Sequence, residues 1–214
     1  MRGHFFNKPP NWLKLITPGL TWSLPNDDNI IYLTFDDGPD EKVTPYVLDV
    51  LHDFTAKASF FVVGEMAERN IELLQRMASS SHLIGNHTYK HFNGWNTPAQ
   101  IYLKDVLRCQ EVIDRIVPSS STKAFRPPYG KLTKAQMRHL KRAYKIILCQ
   151  KISEDYLPNL DVLDALQLLY ETQEGDIVLF HDSIKCYQNL KILLPKFLDF
   201  FSVRGYKFEK LNIN

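Results

Sequence analysis

Asp36 and Asp37 stand side by side after an apolar run, and His87 and His91 lie four residues apart further along the chain. These are the residue types that hold a divalent cation. An Asp and two His make a three-donor set that leaves a coordination position open for water, with one carboxylate to spare. The run Ile30 to Phe35 ends in the two acids and then Gly38-Pro39. It reads as a buried strand that delivers both carboxylates to a loop at its carboxyl end, where α/β proteins keep their catalytic groups. A single helical turn across 87–91 would turn both imidazoles the same way.

The elements that must position these groups alternate along the chain, which is the α/β signature. Strands are predicted at Ile31 to Phe35, Ala58 to Val63, His82 to Asn86, Ala124 to Arg126, Lys145 to Gln150, Asp176 to Phe180 and Tyr206 to Lys210. Thr44-Pro45 and Thr97-Pro98 each read as a helix start, with threonine as cap and proline in the first turn. The second helix spaces Ile101, Val106, Cys109, Val112, Ile113 and Ile116 for one buried face, leaving Lys104, Glu111 and Arg115 for solvent. Candidate groups follow successive strands: Asp36 and Asp37, His87 and His91, Arg126 to Gly130, Glu154 to Tyr156, and His181-Asp182. Scattered surface residues have no reason to cluster that way.

The 214 residues fit one domain, read here as a Pro-rich, aromatic lead-in over 1–25 packed on a domain over 26–214. With hydrophobic residues at 44% and charged ones at 23%, the chain is neither disordered nor membrane-spanning. A net charge of +2 and no recognisable motif speak against nucleic-acid binding. Cys109, Cys149 and Cys186 are irregularly spaced and read as buried free thiols. Pro9, Pro10 and Lys14 interrupt any signal-peptide core, so the expected location is the cytoplasm.

Taken in order, TFDDGP (34–39), HTYKH (87–91), RPPYG (126–130), SEDY (153–156) and IVLFH (177–181) resemble the five motifs of the polysaccharide deacetylases, carbohydrate esterase family four, also called the NodB homology domain. The resemblance runs from about Ile30 to the C-terminus. It implies a distorted (β/α) barrel with about seven parallel strands and metal-dependent removal of N-acetyl, sometimes O-acetyl, groups from sugars. Carried over residue by residue, it makes Asp37, His87 and His91 the ligands of one divalent ion, zinc first, with cobalt or nickel as substitutes. Asp36 would be the general base, paired with Arg126. Tyr129 would offer its backbone N–H to the oxyanion, and His181 would be the acid, its ring oriented and charged by Asp155. Leu179 would line the acetyl pocket, with Pro128 and Tyr156 as further substrate contacts; Trp95, which with Tyr89 and Phe92 follows the histidine pair, reads either as core packing or as a wall for a sugar ring. The fourth motif departs from the pattern. Tyr156 stands where the family has Trp, and Ile152 where it has a further Asp, which bears on substrate preference more than on catalysis.

The expected activity is therefore N-deacetylation of an amino sugar in a polysaccharide, peptidoglycan or smaller glycoconjugate, with release of acetate. Hydrolysis of another non-peptide C–N bond, such as a formamide or cyclic amide, is the rival enzyme reading. A non-catalytic carbohydrate-binding protein is the rival from another class. His4, His52, His82 and His139 read as structural or solvent-facing. Lys134, Arg138, Lys141, Arg142 and Lys145 make a basic helix face that reads first as solvated, with peripheral contact to anionic lipid headgroups as the sharper alternative. The sequence says nothing of oligomeric state.

Overall fold

The computed structural model describes Thr17 and residues 19–213. Most of the lead-in placed at 1–25, His4 included, lies outside the described residues. The longest strand, β2 (Ile30–Asp36), is buried almost throughout. Its side chains alternate between two cores: Ile31, Leu33 and Phe35 face one hydrophobic cluster and Tyr32 another. Phe60 and Phe61 divide the same way on β3 (Ser59–Val62). An apolar strand covered on both faces is what a parallel sheet with outer helices demands.

β4 (Leu83–Asn86), β5 (Ser121–Phe125), β6 (Lys145–Ile147) and β8 (Ile177–His181) extend the sheet, and β1 (Leu20–Thr21) and β7 (Lys151–Ile152) form its margins. The order is β1-β6-β5-β4-β3-β2-β8-β7, with β9 (Lys207–Glu209) also paired to β2. Every ladder is parallel. β9 takes the Ile30–Tyr32 half of β2 and β3 takes the Thr34–Asp36 half, so the sheet splays there. The seven expected strands are all present. The count rises because β1 and β7, two residues each, are too short to leave a periodic signal.

Those short strands explain the distortion of the barrel. β6 and β7 are sequence neighbours yet lie second and last in the strand order. The chain from Ile147 to Lys151 spans no more than about 14 Å, so the sheet must curl until its margins nearly meet. Leu148 N–H still donates to the Thr21 carbonyl at 2.7 Å, and Gln150 N–H already donates to that of Ile177 at 2.8 Å. Connecting chain closes the seam instead of a hydrogen-bond ladder, which is why the strand expected over 145–150 breaks after Ile147.

The helices lie outside: α1 (Val43–Asp53), α2 (Gly64–Arg69), α3 (Ile71–Ser79), α4 (Ala99–Ile116), α5 (Lys134–Leu140), α6 (Val162–Leu169) and α7 (Tyr187–Ser202). Two expected caps are corrected. At α1 it is Asp40 whose carboxylate accepts the Lys42 and Val43 amides, at 2.9 and 3.0 Å. Thr44 is buried inside the first turn. At α4 the cap position falls on Pro98, while the Thr97 hydroxyl donates back to the Asn93 carbonyl. The buried face of α4 uses Tyr102 where Ile101 was expected, and Ile101 is exposed. Cys109 and Cys186 are buried free thiols, and Cys149 is half-buried. Among the described residues no helix is long and apolar enough to cross a membrane.

Candidate active site

A cleft of about 600 Å³ opens at the carboxyl end of the strands, over the seam. Asp36, Asp37, His87, His91, Arg126, Tyr129, Tyr156, Leu179 and His181 all line it. The loops there are strained: Asp37, Thr88, His91, Tyr129 and Glu154 all have positive φ. Non-glycine residues held this way cost on the order of 1–3 kcal/mol each and persist only where the surroundings over-determine them.

Here the surroundings are visible. Asp182, buried beside His181, accepts from the Gly38 N–H at 3.1 Å and from the Thr44 hydroxyl at 2.6 Å. A Cβ on residue 38 would collide with that carboxylate, so only glycine fits. The 87–91 segment is not the helical turn that the spacing suggested. It is a loop with left-handed backbone at Thr88 and His91, fastened by Asp105 of α4. The Asp105 carboxylate accepts the Tyr89 and Lys90 amides at 2.8 and 3.0 Å, while Asn86 accepts that of Thr88. Both imidazoles reach one place by this route.

The donor atoms of Asp37, His87 and His91 lie within 4.8 Å of one another. Asp37 Oδ1 faces His91 Nε2 at 3.1 Å and His87 Nε2 at 3.7 Å. The His87 Nδ1–H donates to the Arg126 carbonyl at 2.8 Å, which leaves Nε2 with its lone pair toward the cluster. Burial drives His87 down to about 4 against the pull of nearby carboxylates, so at neutral pH it is uncharged, the form a metal site requires. Burial alone would raise Asp37. The His91 hydrogen bond and the neighbouring imidazoles outweigh it and hold the group well below the usual carboxylate range. The donor set therefore fits a divalent cation.

Beside this cluster, Arg126 holds Asp36 Oδ1 at 2.8 Å and the Thr34 hydroxyl at 2.8 Å through Nη1, and the Leu148 carbonyl through Nη2. The guanidinium is buried and lies over the Phe61 ring. Across the cleft, Asp155 accepts the His181 Nδ1–H at 2.7 Å and the His181 amide at 2.8 Å. Burial works against the imidazolium, but Asp155 first, then Asp37 and Asp36, carry His181 up to about 9. Tyr129 sits in a turn closed by the Gly130 and Lys131 amides, with its own N–H outside those two bonds.

Tyr156 packs edge-on against His181, with ring centroids 5.4 Å apart. Pro128 is buried in its turn, and Trp95 stands outside the cleft lining, its indole N–H on the Leu132 carbonyl at 3.1 Å. Three participants, Trp22, Lys185 and Asp105, were not singled out from sequence. Trp22, from the lead-in, lines the cleft, and Lys185 lies 2.8 Å from Asp37 Oδ2. Asp105 and Asp182 hold the loops. Asp105 did leave a signal, an acid at a buried-face position of an amphipathic helix.

A parallel barrel that gathers such a donor cluster, an arginine-held carboxylate and a carboxylate-held imidazole at one end has the equipment of a metal-assisted hydrolase. A sequence model of the polysaccharide deacetylase family matches residues 23–145. The peptidoglycan-N-acetylglucosamine deacetylase of Bacillus cereus is 33% identical over 193 residues, covering 88% of this chain and 89% of that protein. The chitooligosaccharide deacetylase of Sinorhizobium fredii is 33% identical over 158 residues, 71% of each chain. Among solved structures, a peptidoglycan N-acetylglucosamine deacetylase in complex with 4-naphthalen-1-yl-N-oxidanyl-benzamide superposes with a TM-score of 0.84 at 28% identity, covering 94% of both chains. The chain belongs to the polysaccharide deacetylase family, hydrolases of non-peptide carbon–nitrogen bonds that depend on a metal.

Proposed function

We propose that this chain removes the N-acetyl group from an amino sugar in a polysaccharide, peptidoglycan or smaller glycoconjugate, giving acetate and a free amine. The observation that carries this is the pair of held groups lining one cleft: Asp36 fixed by Arg126, and His181 fixed by Asp155. Asp37, His87 and His91 would hold one divalent cation, with zinc preferred and cobalt or nickel as substitutes. When bound, it would supply Lewis-acid polarisation of the acetyl carbonyl and the attacking water.

The protein's own groups do the rest. Asp36, with Oδ1 committed to Arg126, takes the water's proton on Oδ2. The Tyr129 amide donates to the developing oxyanion, a type of contact worth about 3 kcal/mol. His181, charged at neutral pH, gives its Nε2 proton to the departing nitrogen while Asp155 keeps the ring in place. Leu179 walls the space for the acetyl methyl, and Tyr156 and Trp22 offer aromatic surface to the sugar.

Acetate release from N-acetylglucosamine oligomers and peptidoglycan fragments, with and without chelator and added Zn²⁺ or Co²⁺, tests the reaction. Chelator-sensitive release is expected. Asp36→Asn should retain metal yet lose about a hundredfold or more in turnover. Near-normal turnover in that variant would overturn the assignment of the base.

A further inference from the structure

Among the residues that line the cleft, the charged ones outside the donor cluster and the acid and base groups are Arg126, held on Asp36, Lys185, held on Asp37, and Lys131. Lys131 sits at the mouth, its ammonium 5.1 Å from the Trp95 ring and 5.9 Å from the Tyr129 ring. The chain leaves the cleft through Lys131 directly into α5. Lys134 and Arg138 stand one turn apart on its exposed face, and Arg142 follows just beyond. None of these three is in an ion pair among the described residues. The sequence has no Asp or Glu between Asp114 and Glu154. A stretch of chain whose charges are all positive therefore runs from the mouth of the cleft along α5.

Resting on the deacetylase reading, we propose that this strip selects a glycan that is anionic beside the reacting sugar, carrying carboxylate or phosphate groups on neighbouring residues. A run of cations next to a cleft raises the local concentration of an anionic polymer and aligns it, and salt screens the effect. Two observations favour a glycan over a lipid surface. Lys131 lies within the cleft lining, where only a strand threading the site meets it. The exposed face of α5 also offers nothing large and apolar to bury among acyl chains, because Leu140 packs inward and only Ala135 is apolar there.

The test compares, for the metal-loaded protein, a neutral N-acetylglucosamine oligomer with matched-length oligomers bearing carboxylates or phosphates on alternate sugars. Acetate release gives KM and kcat, and calorimetry gives binding of the same three glycans. The KM for the anionic oligomers is expected to be lower and to rise with salt, the two anionic arms ranking carboxylate against phosphate. The triple variant Lys134→Ala, Arg138→Ala, Arg142→Ala should raise their KM by about five- to tenfold with kcat unchanged, and leave the neutral oligomer within about twofold. Equal KM values for neutral and anionic glycans, insensitive to salt and to the variant, would overturn the proposal. So would vesicles containing anionic phospholipid that bind the parent and not the variant while anionic glycans bind both alike. Should no glycan release acetate, the deacetylase reading fails on its own, and the calorimetric ranking still decides the charge selectivity.

Discussion

His87, just after β4, and His181, at the end of β8, are both withdrawn from solvent into the same cleft, yet they are driven in opposite directions, to about 4 and about 9. Burial pushes both toward the neutral form. The difference lies in what meets Nδ1: the Arg126 carbonyl for His87 and the Asp155 carboxylate for His181. A carbonyl fixes the tautomer without paying for a charge, whereas a buried carboxylate makes the imidazolium the lower-energy state. One partner atom thus separates the imidazole proposed as a metal ligand from the one proposed as the acid.

Removing His87 breaks the ligand side of this contrast most severely. His87→Ala should abolish stoichiometric metal retention, measured by elemental analysis, and lower activity by more than the roughly ten- to hundredfold that loss of an outer-shell partner alone would cost. Asp155→Asn attacks the other side. His181 then keeps burial and loses its main counter-charge, so kcat should fall about a hundredfold while metal content holds. The acid form exists below its pKa and vanishes as pH rises through it. In the parent protein the alkaline limb of kcat should lie near 9, and in the variant it should move to 6.5 or below. An unmoved limb would remove His181 from the role.

A third histidine sharpens the comparison from the far end of the barrel. His82 is buried with its Nδ1 accepting the Ala58 amide at 3.2 Å, and burial first, then Lys57 and Lys210, push it down to about 4. The unfolded chain takes up that proton near 6.5 and the folded chain only near 4. Stability is therefore present above about 6.5, falls as pH drops toward 4, and levels off below. His82→Gln should flatten that acid loss by on the order of 3 kcal/mol, read from urea midpoints at several pH values. The smallest effect is expected at the cleft wall: Tyr156→Trp should move KM by about threefold and leave kcat alone.

Most of the strand framework and the clustering of Asp36, Asp37, His87, His91, Arg126, Asp155 and His181 were legible in the sequence, because strand ends in an α/β chain announce themselves through apolar runs broken by acids, Gly and Pro. The backbone between His87 and His91 was not. A four-residue spacing suits a helical turn, but it also suits a loop with two left-handed residues, and the choice is made by Asp105, far along the chain. The seam escaped for a similar reason: β1 and β7 are defined by tertiary pairing, not by local periodicity. Lys185 and Trp22 reach the cleft only because the sheet curls.

Asp36 and His181 are register partners on adjacent parallel strands. Their backbones are then held one inter-strand repeat apart, about 4.8 Å. The proposed proton acceptor and proton donor thus stand on a backbone ruler that side-chain substitution at the rim cannot stretch. Substitutions at rim residues such as Tyr156, Trp22 and Lys131 leave that strand pairing, and with it the backbone placement of Asp36 and His181, unchanged.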